Sequence, residues 1–214
     1  MATKVRFSTA ADNTRPFKSH RFDVFGLKLA RNVTLFGQAA LNTWIALEAD
    51  PEVVSYCERP LVIPDVKPKR VVDFWVGFND REELWLLQRF GTQDDPTNPM
   101  DVIPAFATWA SSQRMPVRFI EPADAVAQRT YLDNWGRIIR DLSANRKYVS
   151  GAMVNRVRSC FADPRPLSAL PGLFPDDDPV LLRTAAYSLI HNGNLRCSDI
   201  DQVPLGPATL LETA

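Results

Sequence analysis

The sequence predicts a mixed α/β protein, and three observations carry that reading. β-prone runs cluster between residues 61 and 90, helical apolar periodicity flanks them on both sides, and a second, largely helical stretch fills the C-terminal part. A chain of 214 residues with 45% hydrophobic and 23% charged residues can bury one good core or two small ones. That composition excludes disorder, a collagen-like repeat and a coiled coil.

Taken in order, the first helix is LFGQAALNTWIALEAD at residues 35–50, where Leu41, Trp44, Ile45 and Leu47 recur at helical spacing and Asp50-Pro51 breaks the pattern. PEVVSYCE then reads as a turn. Three strands are expected at Leu61 to Ile63, Arg70 to Phe78 and Leu84 to Phe90, rich in Val, Phe, Trp and Leu. PDVKPK separates the first two, and Asn79 to Glu82 is a good hairpin connection between the last two. After polar GTQDDPTNP, Asn98-Pro99 opens a helix through Phe106 and Trp109, and Pro116 to Glu121 returns as a strand. The order helix, strand, strand, strand, helix, strand predicts one small sheet with helices on its faces, its last strand arriving by a helical crossover.

Residues 122–158 turn helical, with Tyr131, Trp135, Ile138, Ile139 and Leu142 as the apolar stripe. The acidic, turn-rich DPRPLSALPGLFPDDDP follows. Asp178-Pro179 then starts a helix that runs to Gly193, which suits a left-handed C-cap, and the tail after it is extended. This is the outline of a winged helix, and a generic helical subdomain fits it too. The chain divides into a basic arm at 1–35, an α/β domain at 36–121 and a helical domain at 122–214.

Lys+Arg and Asp+Glu stand at 25 each, so the formal charge is zero. The arm nevertheless holds seven basic residues against two acids, a local plus five, and Arg129 to Arg158 repeats the same balance. Arg15, Lys18, Arg21, Lys28, Arg31, Arg137, Arg140, Arg146 and Lys147 are therefore candidate phosphate contacts. A solvated tail is the competing reading for the arm. Acidic patches at Asp94-Asp95 and Asp176 to Asp178 restore the zero, and neutrality argues against strong non-specific DNA binding.

Cys57, Cys160 and Cys197 are odd in number and widely spaced, which argues against a zinc site and a disulfide framework and for a reducing cytoplasm. No signal peptide and no membrane span is expected, since no run of 18 apolar residues occurs. His20 and His191 are too isolated for a triad, and the five tryptophans read as core rather than as base-stacking platforms.

Between residues 26 and 90 a family pattern emerges. LEADPEV at 47–53, ERP at 58–60, Val72-Asp73-Phe74 and Leu87-Gln88-Arg89 stand in the order and spacing of the TnsA family. The chain resembles that family, the endonuclease subunit of heteromeric transposases, over most of its length. The resemblance implies a restriction-endonuclease-like, PD-(D/E)xK nuclease domain at 36–121, a winged-helix-like domain at 122–214, double-stranded DNA and a transposase as partners, and an AAA+ regulator as a further one. It also implies a Mg²⁺ cofactor if the nuclease is active.

In such a nuclease, carboxylates on strands and on the neighbouring helix hold Mg²⁺ against the scissile phosphate, while a lysine orients the attacking water. Carried over residue by residue, the strand aspartate is Asp73, the one candidate metal ligand. The helix glutamate position falls on Ala40 and the acid-any-lysine strand on Gln88-Arg89-Phe90. Alanine coordinates nothing and phenylalanine cannot activate water, so the resemblance implies a degenerate centre with Asp73, Gln88 and Arg89 as remnants. Two rivals remain: an active nuclease in which Glu48, Glu52 or Glu83 has become a ligand and Arg89 replaces the lysine, and an adaptor that binds only protein. Glu48 otherwise reads as an exposed or capping residue.

Overall fold

The computed structural model describes residues 5–64, 69–88, 103–121 and 128–214. The expected helix start at Asn98-Pro99, the Asp94-Asp95 patch and the positions of Arg89 and Phe90 lie outside the described residues. The fold is mixed α/β, with six α-helices and several small sheets among the described residues. The chain forms two compact units, residues 1–127 and 128–214.

Unit 1 begins with a segment fastened to its own sheet. Arg6 pairs with Glu82 at 2.8 Å, Phe7 packs edge-on to Trp75, and Asp12 pairs with Lys69 at 2.7 Å and Arg59 at 3.5 Å. A hairpin follows, β1 (Arg21–Gly26) antiparallel to β2 (Arg31–Phe36), with Gly26 opposite Arg31. The arm expected at 1–35 is therefore part of unit 1, and the solvated-tail reading gives way. Gly37, at φ 89°, turns the chain out of β2 into α1 (Gln38–Ala49), a backbone angle that glycine alone adopts without strain.

The main sheet has four strands in the order β3-β6-β7-β8. They are β3 (Val53–Glu58), β6 (Phe74–Phe78), β7 (Glu82–Leu87) and β8 (Val117–Ile120). The first three are antiparallel neighbours, and β8 lies parallel to β7 after α2 (Pro104–Ser112) carries the chain across. The expected order of elements is present, but its first strand is the segment that reads as a turn. Ser55 and Glu58 interrupt the apolar pattern of VVSYCE, and Glu58 is buried only because a cation reaches it. Leu61 to Ile63 contributes instead to a separate two-stranded pair, β4 (Val62–Ile63) with β5 (Arg70–Val71). The run 70–78 is thus two strands, because the chain changes partners at Val72-Asp73.

Side chains alternate across this sheet. Cys57, Trp75, Leu84 and Leu86 form one core with Phe106 and Ala110 of α2. The opposite face meets α1, where the Trp44 indole N–H donates to the Tyr56 hydroxyl at 2.7 Å. Trp109 is 44% exposed, so the reading of every tryptophan as core fails there.

Unit 2 contains α3 (Arg129–Asn145), α4 (Gly151–Ser159), the short α5 (Leu170–Leu173) and α6 (Pro179–His191). Ser150 caps α4 through the Met153 N–H and Asp178 caps α6 through the Val180 N–H. Trp135, Ile138, Ile139 and Leu142 of α3 are buried, as the stripe predicts, and Leu132, outside the predicted stripe, is buried with them. Tyr131 only flanks it, half-buried. Gly193 has φ 69° beyond α6. A three-stranded antiparallel sheet, β10-β11-β9, joins β9 (Arg165–Pro166), β10 (Leu195–Arg196) and β11 (Leu210–Thr213). Among the described residues no helix is long and apolar enough to cross a membrane.

Candidate functional site

Asp73 stands where the chain passes from β5 to β6. Its N–H donates to the Trp85 carbonyl at 3.1 Å, and its own carbonyl accepts from the Arg59 N–H at 2.9 Å. The carboxylate reaches along β7 to accept the Leu87 N–H at 2.8 Å. Asp73 therefore continues the ladder through both backbone and side chain, which explains how a charged residue sits in an apolar stretch.

A small cavity of about 20 Å³ lies beside it, walled by Ala40, Glu58, Arg59, Asp73 and Phe74 together with residues 34–36 of β2. Sequence reasoning paired Ala40 with Asp73, and the fold brings both to this cavity. It adds Glu58, quoted in the ERP motif but given no role there. Glu58 is 5% exposed, and its two oxygens accept from the two terminal nitrogens of Arg31 at 2.7 and 2.6 Å, a bidentate pair. The sequence carries no signal for this pair, since Arg59 stands next to Glu58 while the partner it takes is 27 residues away. Arg59 has φ 46°, an unusual angle for a residue with a side chain, and its guanidinium lies over the Phe36 ring and binds the Asp12 carbonyl.

These residues do not fit a Mg²⁺ ion. The cavity has room for about one water, whereas Mg²⁺ keeps several waters and asks for anionic oxygens. One of the two carboxylates is already neutralised by Arg31, Ala40 offers no ligand, and among the described residues no group of three metal-binding side chains forms. Gln88 lies past the end of β7, is exposed, and does not line the cavity; Arg89 and Phe90 are outside the described residues.

The alternative ligands are elsewhere. Glu52 is exposed and faces Arg81 at 3.7 Å, and Glu83 accepts from the Trp85 indole at 2.7 Å. Glu48 is 1% exposed rather than a surface or capping residue. It accepts from the Tyr56 hydroxyl at 2.5 Å and from the Lys28 N–H at 3.3 Å. A Cβ on Gly26 would approach the Tyr56 oxygen to 2.6 Å, so the hairpin closes over this network only with glycine there.

The basic candidates separate by what they touch. The Lys28 ammonium donates to the carbonyls of Leu47, Asp50 and Val53, capping the C-terminal end of α1, and burial pushes it down to about 8. Lys28 and Arg31 are thus internal ligands of unit 1, which corrects their reading as DNA contacts. Arg15 bonds the Ser19 carbonyl, Lys18 lies over the Phe17 ring, and Arg21 pairs with Asp23, all three on the surface. In unit 2 Arg137 donates to the Leu205 carbonyl at 2.7 Å, Lys147 lies over the Tyr148 ring, and Arg140 and Arg146 are exposed. No protein-family model and no curated protein matches this chain.

Proposed function

We propose that the chain is a TnsA-like component of a DNA transposition machinery that binds double-stranded DNA and a transposase partner, with a nuclease centre that has lost its chemistry. The observation that carries this reading is the convergence of Ala40 and Asp73 on one small cavity. These are the helix and strand positions at which the resembled family places carboxylates, yet one is an alanine and the added acid, Glu58, belongs to Arg31. The α1, β3, β6, β7, α2, β8 order supports a restriction-endonuclease-like core. The β9 to β11 sheet around α6 supports a winged-helix-like unit 2, although seven residues of α6 are buried, so that helix has little to offer a DNA groove. DNA contact falls instead to Arg15, Lys18, Arg21, Arg146 and Lys147, and an AAA+ regulator is a further partner of such a complex.

The rival reading is an active Mg²⁺-dependent endonuclease with relocated ligands, for which the shared lining of Asp73 and Glu58 is the one favourable observation. A plasmid-nicking assay with Mg²⁺ or Mn²⁺ separates the two. The first reading expects salt-dependent plasmid binding without nicks. Metal-dependent nicking abolished by Asp73→Ala supports the second. Absence of any salt-dependent DNA binding overturns both and leaves the protein-only adaptor.

A further inference from the structure

Within unit 2 a cleft of about 700 Å³ opens between α3 and α6, in the size range of small-molecule sites. Its charged lining is Arg137, Arg140 and Arg183 against Asp141. Asp141 is already satisfied: Arg183 holds it through two nitrogens at 2.7 and 2.9 Å, and the fully buried Thr184 hydroxyl donates to its other oxygen. That pair belongs to the packing of α3 on α6 and leaves the remaining charge unbalanced.

Arg137 spends one terminal nitrogen on the Leu205 carbonyl and keeps the rest of its fork. Arg140 lies one turn further along the same face of α3 and makes no hydrogen bond or ion pair among the described residues. Two guanidinium groups on one helix face, with no carboxylate left to answer them, concentrate positive charge at the cleft. Leu167, Leu170 and the ring of Pro207 line part of the rest of the cleft beside Asn145, Ser168 and Tyr187, a mixed surface for an uncharged organic body with polar groups.

We propose that this cleft binds a phosphate monoester carried on an organic body of about mononucleotide size. The monoester carries up to two negative charges at neutral pH and presents oxygens that match the guanidinium fork. A backbone diester carries only one charge, and the convex surface of a duplex cannot follow a concave cleft. The same chemistry is available from a free mononucleotide and from the 5′-phosphorylated end of a DNA strand.

The test is calorimetric titration of the full chain with adenosine 5′-monophosphate, with adenosine, and with one single-stranded oligonucleotide in 5′-phosphorylated and 5′-hydroxyl forms. One-to-one binding of the phosphorylated ligands, no binding of adenosine, and weakening as pH falls below about 6, where the monoester takes up a proton, are expected. Arg140→Ala should weaken binding at least ~10-fold while thermal unfolding stays unchanged, the loss of one charge-assisted contact. Preference for the 5′-phosphorylated strand over the mononucleotide identifies a strand end as the source, and equal binding identifies the free nucleotide. Equal binding of adenosine, unchanged affinity in Arg140→Ala, or no saturable binding of any phosphorylated probe overturns the proposal.

Discussion

The two basic stretches carry the same local charge by sequence and divide it differently between internal pairing and the surface. In the first, Lys28 is sunk into the end of α1 and Arg31 is locked onto buried Glu58, so two of its cations act as internal ligands. In the second, Arg140, Arg146 and Lys147 remain exposed. A count of charges measures supply; pairing and burial decide how much of it reaches a partner. The contrast reaches the cavity as well, since Arg31 supplies at Glu58 the positive charge that a metal ion would otherwise bring.

The sharpest break of this comparison is Arg31→Gln. Leaving Glu58 buried without its cation should cost about 3 kcal/mol in urea unfolding, and adding Glu58→Gln should recover much of it. Stability unchanged in the single variant means that the pair does not hold β2 against β3. Next in size, Lys28→Met strips a donor from three carbonyls at the end of α1 and should cost about 2 kcal/mol. Arg146→Ala with Lys147→Ala should change stability by under about 0.5 kcal/mol, yet lower the slope of log DNA affinity against log salt by about 2. A loss of stability without a change in slope inverts the comparison.

The smallest effect is a pH dependence. The hydrogen bond from Lys69 and the Thr14 N–H hold the Asp12 carboxyl well below its ordinary 3.8. Because the folded value is the lower one, its stabilisation is complete above that ordinary value and fades as pH falls through and below it. Asp12→Asn should therefore flatten the acid limb of the unfolding curve and leave stability near pH 7 reduced by a pH-independent amount.

The α1 periodicity, the Asn79 to Glu82 turn, the α3 stripe and the Asp178-Pro179 start of α6 were legible because each depends on near neighbours in sequence. Asp73 and Ala40 were legible as a pair through their spacing to LEADPEV. Strand β3 was not, because Glu58 looks like a surface residue until Arg31, from another hairpin, is placed beside it. Lys28 and Glu48 were misjudged for the same reason: each is satisfied by partners at least eight residues away, where composition and periodicity carry no information. The split of 70–78 into two strands reflects a change of pairing partner, a tertiary event with no local signature.

The proposal that the Asp73 cavity is a disarmed metal centre is tested most directly by calorimetric titration of Mn²⁺ into the wild-type chain and Asp73→Ala. The wild type and Asp73→Ala should give the same featureless heats, because the cavity has room for about one water and Arg31 already neutralises Glu58. Saturable Mn²⁺ binding by the wild type that disappears in Asp73→Ala contradicts the account.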